Sequence, residues 1–308
     1  MTRRTLLRNA VANTLGGFVG SALASPARTP ELAITIDDFS WPVIPLPFGA
    51  NANRTLLDTL EAFGLKTALF AVGRNIESPE GRSLLEPWND AGHIIGNHTY
   101  SHRNFHSLTV PEFEADVLRC HEFLKPYPAY RSLFFRFPLL KEGNTQQKRD
   151  ALRQFLTTHG MRNGHVTIDA SDWFYDAELR QRLAADPAYD VSRFRAPYLA
   201  HLLDRANYYD RLAKCVLSRS PRHTLLLHYN LINVLFLSDA LRMFTEQGWK
   251  LISADYAYRD PVFASVPLNT PAGESLIWAL AKQTGRFDKQ LRYPGEDDVY
   301  EKPSIPSF

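Results

Sequence analysis

Two adjacent carboxylates close an apolar run: Leu32-Ala33-Ile34-Thr35-Ile36 ends in Asp37-Asp38. The run reads as a buried strand, because apolar and β-branched side chains suit an enclosed pleated surface. Two acids at the mouth of a core cannot both remain bare charges. One calls for a cation, and the other for a charged or hydrogen-bonding partner. Candidates follow along the chain: His98 and His102, then Arg136, then Asp172-Trp173, then His228. Two histidines and a carboxylate form a three-ligand set for a divalent metal with an open position, which assigns Asp38, His98 and His102 as ligands. Such a site supports hydrolysis. Asp37 is the candidate general base, Arg136 would keep it ionised and aimed, and His228 is the candidate acid if Asp172 orients its imidazole. Taken singly, each residue has another role open to it. Asp38 and Asp172 could cap a loop or helix, Arg136 could form a surface ion pair, and His228 could be a satisfied core histidine. The lone His-x-x-x-His spacing is weak by itself.

The elements that must position these groups are legible from periodicity. Strands are expected at 32–36, 66–72, 93–97, 132–136, 164–168, 224–227 and 250–253. Helices fall between them. Leu56, Leu57, Leu60 and Phe63 mark one over 53–63, and Ser78-Pro79 starts another that Gly92 ends. Thr109 and Glu112 form a capping box for a third, and a fourth spans 145–159. Further helices are expected around 208–218, 238–247 and 271–284. Strands alternating with amphipathic helices predict parallel βαβ units, hence an α/β fold built as an irregular (β/α)7-type barrel. Every candidate residue falls at the C-terminal end of an expected strand, the rim on which barrels build their sites. Pro42, Pro45 and Pro47 exclude regular structure after the acid pair, which leaves a loop whose Trp41 would wall the pocket. Residues 174–222 break the rhythm as a charged helical insertion. A proline-bearing extension runs over 257–308.

Composition narrows the remainder. With 44% hydrophobic and 22% charged residues, the 308-residue chain is neither disordered nor fibrous. The N-terminus carries Arg3-Arg4 and Arg8 ahead of a mildly apolar run that closes with Ala22-Leu23-Ala24. This resembles a twin-arginine export signal over residues 1–24, leaving 25–308 as one domain in the periplasm or outside the cell. Without that segment 35 basic residues become 32, against 33 acidic, a balance that gives no hint of nucleic-acid binding. No stretch has the length of a membrane span. Cys120 and Cys215 are too few for a disulfide framework, although one bridge between them is open.

These residues resemble the five ordered motifs of the NodB-homology polysaccharide deacetylases, carbohydrate esterase family four, over about residues 31–256. Thr35-Ile36-Asp37-Asp38 is similar to the first motif, with the first Asp as base and the second as ligand. His98-Thr99-Tyr100-Ser101-His102 is similar to the metal-binding second. Arg136-Phe137-Pro138 resembles the third, whose Arg tethers the base. Asp172-Trp173 resembles the fourth, in which Asp orients the acid and Trp lines the pocket. Leu226-Leu227-His228 resembles the fifth, with Leu in the acetyl pocket and His as acid. The resemblance implies a deformed barrel, an acetylated polysaccharide or oligosaccharide substrate, and a divalent metal. Zinc is the usual ion, with cobalt, nickel or manganese as alternatives. It also implies an oxyanion donor at the backbone N–H of Leu139. It implies no obligate protein partner. Two departures stand out: Phe39-Ser40-Trp41 replaces the usual Gly-Pro, and Phe137-Pro138-Leu139-Leu140-Lys141-Glu142-Gly143 follows Arg136 where the family usually continues Pro-Pro-Tyr-Gly. Two further functions are compatible with these residues. One is a non-catalytic module that grips glycans through Phe39, Trp41, Trp173 and Tyr229. The other is hydrolysis of a non-sugar amide.

Overall fold

The protein is described here from a computed structural model covering residues 29–39, 44, 48–131, 133–292 and 301–305. The expected export segment and Trp41 lie outside the described residues. The strands are β1 (Glu31–Phe39), β2 (Ala68–Ala71), β3 (Ile94–Asn97), β4 (Phe134–Phe135), β5 (Lys141–Gly143), β6 (Arg162–Asn163), β7 (Arg222–His228), β8 (Lys250–Leu251) and β9 (Ala272–Gly273). All but β5 and β9 belong to one parallel sheet, ordered β6-β4-β3-β2-β1-β7, with β8 also on β1. The acid-ended strand is therefore the hub, paired with β2, β7 and β8. Its register on β7 sets Asp37 directly opposite His228.

The sheet curls back on itself through the segment after β6, because Ile168 bridges Leu225 of β7. The expected strand at 164–168 is thus divided. Its ladder partner on one side is β4, at 162–163, and its later half turns to β7. The interior explains the switch. The Phe70 ring fills the barrel, and a Cβ added at Gly96 or Gly164 would lie 2.5 or 2.4 Å from it. Only a residue without a side chain lets the backbone pass there.

Helices cover the outside. They are α1 (Ala52–Ala62), α2 (Pro79–Asp90), α3 (Val110–Leu124), α4 (Gln146–Thr158), α5 (Asp172–Ala185), α6 (Arg195–Leu217), α7 (Leu231–Glu246), α8 (Ala254–Ala257) and α9 (Leu276–Thr284). Ser78 and Thr145 cap α2 and α4, and the capping box of Thr109 and Glu112 opens α3, as the sequence predicts. Each such cap contributes about 1 kcal/mol.

Three starts differ from expectation. Helix α7 begins at Leu231 rather than near 238, because the Asn230 side chain accepts from Asn233 N and caps it early. The helix expected around 208–218 is the second half of the 23-residue α6. Helix α9 begins at Leu276 because Ala272–Gly273 is used as a strand against β5, and Ser275 then serves as cap. The cysteines do not pair: Cys120 is buried and Cys215 exposed, both as free thiols. Among the described residues no helix is long and apolar enough to cross a membrane.

Candidate active site

The C-terminal rim of the barrel gathers the candidate residues around one cavity of about 580 Å³. Asp37, Asp38, His98, His102, Leu139, Trp173, Leu226, His228 and Tyr229 all line it. Arg136 and Asp172 stand behind them, 1% and 0% exposed.

The ligand set comes from the ends of β1 and β3. Asp38, His98 and His102 each offer an atom within 4.8 Å of the others. Asp38 Oδ1 lies 2.9 Å from His102 Nε2 and 3.4 Å from His98 Nε2, yet it is a buried oxygen without a hydrogen bond among the described residues. His98 Nδ1 lies 2.9 Å from the Arg136 carbonyl, so it carries the proton and leaves the Nε2 lone pair facing Asp38. A backbone acceptor of this kind is how metal-ligating imidazoles are fixed in tautomer and orientation. An unsatisfied carboxylate oxygen facing two imidazole nitrogens fits a divalent cation.

The backbone is strained to achieve this. Asp38, Thr99, His102, Leu139 and Leu140 have φ of +56°, +62°, +54°, +56° and +54°. Such values are uncommon outside glycine and persist only where the surroundings impose them. The loop after β3 shows how. Asn97 Oδ1 accepts from Thr99 N, Thr99 Oγ1 accepts from His102 N, and Asp116 of α3 takes both the amide and hydroxyl of Ser101.

Asp37 is held separately. Arg136 Nη1 donates to its Oδ1 at 2.5 Å and to Thr35 Oγ1 at 2.9 Å. Nε reaches the Gly164 carbonyl and Nη2 the Tyr258 hydroxyl, while the guanidinium stacks 3.9 Å over Phe70. A buried cation so fully satisfied is rigid.

On the facing side Asp172 opens α5. Its Oδ1 accepts from His228 Nδ1 and its Oδ2 from His228 N, both at 2.7 Å, with Asn230 and Asn233 Nδ2 also on Oδ2. Tyr198 of α6 in turn donates to Asn233 Oδ1. Burial opposes charge on His228, but Asp172, Asp38 and Asp37 prevail and raise its pKa to about 10. It is an imidazolium at neutral pH, with Nδ1 engaged by Asp172. The other buried imidazoles are satisfied within the core: His93 accepts from Thr67 N, and His223 lies between Thr167 and Asp210.

The altered loop after Arg136 is braced from the far end of the chain. Strand β9 pairs antiparallel with β5, Glu274 N donates to the Leu140 carbonyl, and Lys141 pairs with the Glu274 carboxylate. Gly273 allows this approach, since a Cβ there would sit 1.9 Å from the Leu140 oxygen. Leu139 and Trp173 are 56% and 43% exposed at the cavity mouth, whereas Leu226 and Tyr229 form its buried walls. Sequence reasoning missed Tyr258, Asn230, Asn233, Asp169 and Glu274. The Asn-x-x-Asn pair after His228 was readable as a cap, but nothing local pointed to the other three.

A barrel rim carrying a triad that could hold a metal ion, a clamped carboxylate and a carboxylate-held imidazole has the make-up of a hydrolase centre. Comparison with known proteins shows what the chain is similar to. Residues 24–163 match the family model for polysaccharide deacetylase. A peptidoglycan-N-acetylglucosamine deacetylase of Bacillus cereus is 27% identical over 154 residues, 49% of this chain and 50% of that protein. The chain therefore spans about half the length of the curated relative it matches. Among solved structures, a mutant of a CE4-family pseudoenzyme of Bacillus anthracis, one with restored enzymatic activity, superposes with TM-score 0.50 at 20% identity, covering 74% of this chain and 67% of that one. These matches support a place for the chain among the NodB-homology polysaccharide deacetylases, carbohydrate esterase family four.

Proposed function

We propose that the protein is an exported, metal-dependent hydrolase that removes acetyl groups from a carbohydrate. The carrying observation is convergence. Asp38, His98 and His102 meet the Arg136–Asp37 and Asp172–His228 pairs at one cavity, although they come from five separate stretches of chain. Asp38, His98 and His102 would hold the cation. A divalent ion there polarises a carbonyl and lowers the pKa of water.

Everything else falls to the chain itself. Asp37 receives the proton of the attacking water at Oδ2, since Oδ1 is engaged by Arg136. Arg136 pairs with that carboxylate and fixes its rotamer. His228 begins protonated, and its Nε2 delivers that proton to the departing nitrogen or oxygen, while Asp172 holds the ring. Leu226 and Trp173 enclose the acetyl group and exclude water, with Tyr229 as the buried wall behind. The Leu139 N–H serves as oxyanion donor on the braced loop. The paired arginines and Ala22-Leu23-Ala24 support export.

The test is acetate release from N- and O-acetylated glycans after chelation and again after zinc is restored. Silence on chelation and recovery with zinc is the expected result. Release undiminished by complete metal removal would overturn the metal dependence. No release by protein with stoichiometric zinc bound would overturn the deacetylase reading.

A further inference from the structure

Asp169 ends the segment that closes the barrel, three residues before Asp172. It lines the cavity together with Asp37, Asp38 and His228, but is only 5% exposed. The other buried acids of this cavity are provided for: Asp37 has Arg136, and Asp176 accepts from Ile232 N. Among the described residues no hydrogen bond or ion pair reaches the Asp169 carboxyl. Buried polar groups in folded proteins are hydrogen-bonded, so an open acceptor aimed into a cavity is a seat for a donor that arrives with a ligand.

Its surroundings restrict what that donor is. Burial raises the Asp169 pKa to about 7, with Glu274 adding and Arg205, His228 and Lys141 opposing. Glu274 and Lys141 line the same cavity from the β5–β9 ribbon and are already paired with each other. An anionic group would meet two carboxyls there, with the nearest ammonium already taken. A neutral hydroxyl, which both donates and accepts, suits either protonation state of Asp169.

We propose that Asp169, with the Glu274–Lys141 pair beside it, forms a subsite for hydroxyl groups of the sugar ring that bears the scissile acetyl group. The subsite deepens the deacetylase reading and rests on it for the identity of the ring. It also gives the C-terminal extension a direct part in substrate choice, through Glu274. A site built around a substrate hydroxyl discriminates strongly against analogues that lack it, because its own polar group is then left without a partner.

The experiment compares zinc-loaded wild type with Asp169→Asn and Asp169→Ala on an N-acetylated oligosaccharide and on an aryl acetate, which has no ring hydroxyls. In both variants kcat/KM for the oligosaccharide should fall at least about tenfold further than for the aryl ester, mostly through KM. Bound zinc should stay stoichiometric. Equal losses on the two substrates, or unaltered oligosaccharide kinetics, would overturn the subsite. Wild type that turns over neither substrate would remove the deacetylase reading alone, and the same proteins would then be titrated with the oligosaccharide. Binding that weakens about tenfold in Asp169→Asn would keep the subsite, and equal or absent binding would remove it.

Discussion

Arg136–Asp37 and Arg205–Glu301 are both buried ion pairs, with the arginine side chains 1% and 0% exposed. The first stands at the cavity, and its carboxylate keeps one oxygen on the open side. The second is sealed. Glu301 comes from the last described stretch, and its Oε1 accepts from both Arg205 of α6 and Ser171, the residue before Asp172. Ser304 adds a hydrogen bond to Tyr175 of α5. One pair thus holds a carboxylate at the cavity, while the other anchors the last described stretch to the helix that carries Asp172 and Trp173. A buried pair by itself says little about net stability, because desolvation offsets most of its attraction. What distinguishes the two is the face left open.

Breaking that contrast at its functional end gives the largest effect. Asp37→Asn keeps an oxygen toward Arg136 but loses the basic carboxylate. Turnover should fall by about 10²–10⁴-fold, while bound metal and thermal midpoint stay near wild type. Acetate release, metal content and calorimetry on one preparation would check this, and retained turnover would remove Asp37 as base.

At the sealed end the expectation reverses. Glu301→Ala removes the carboxylate that pairs with the buried Arg205 cation and should cost about 3–5 kcal/mol of stability, read from denaturant midpoints. Replacing both partners, Arg205→Met with Glu301→Leu, should recover most of it. Failure of the double variant to recover would mean that the charges themselves, and not the packing around them, hold the tail.

The smallest effect sharpens a third pair, Asp172–His228. The folded pKa of His228 lies at about 10, above its unfolded value, so its charge contributes stability that is fully present below pH 6.5. That contribution is lost as pH rises through about 10. In metal-free protein, the stability difference between wild type and His228→Gln should therefore shrink from pH 6.5 to pH 10, by on the order of a few kcal/mol. A difference that does not vary with pH would mean that the imidazole is neutral in the fold.

How much of this was legible in sequence follows the range of the interactions. Strand β1, the caps of α2, α3 and α4, and the parallel architecture were readable, because periodicity and capping are written within a few residues. So were Asp37, Asp38, His98, His102, Arg136, Asp172 and His228, because each ends an apolar run or stands in a short motif, and the barrel brings strand ends to one rim. The division of the 164–168 segment between β4 and β7 was hidden, since it depends on where the Phe70 ring sits across the barrel.

By itself, then, the sequence determined which chemistry is on offer and which end of the barrel carries it, for reasons local to each motif. Only the tertiary structure decided what surrounds that chemistry. Tyr258 on Arg136, Glu274 beside Lys141 and Glu301 on Arg205 join residues separated by 122, 133 and 96 positions. No periodicity encodes such partners; a buried charge takes whichever donor or acceptor the folded chain brings within reach.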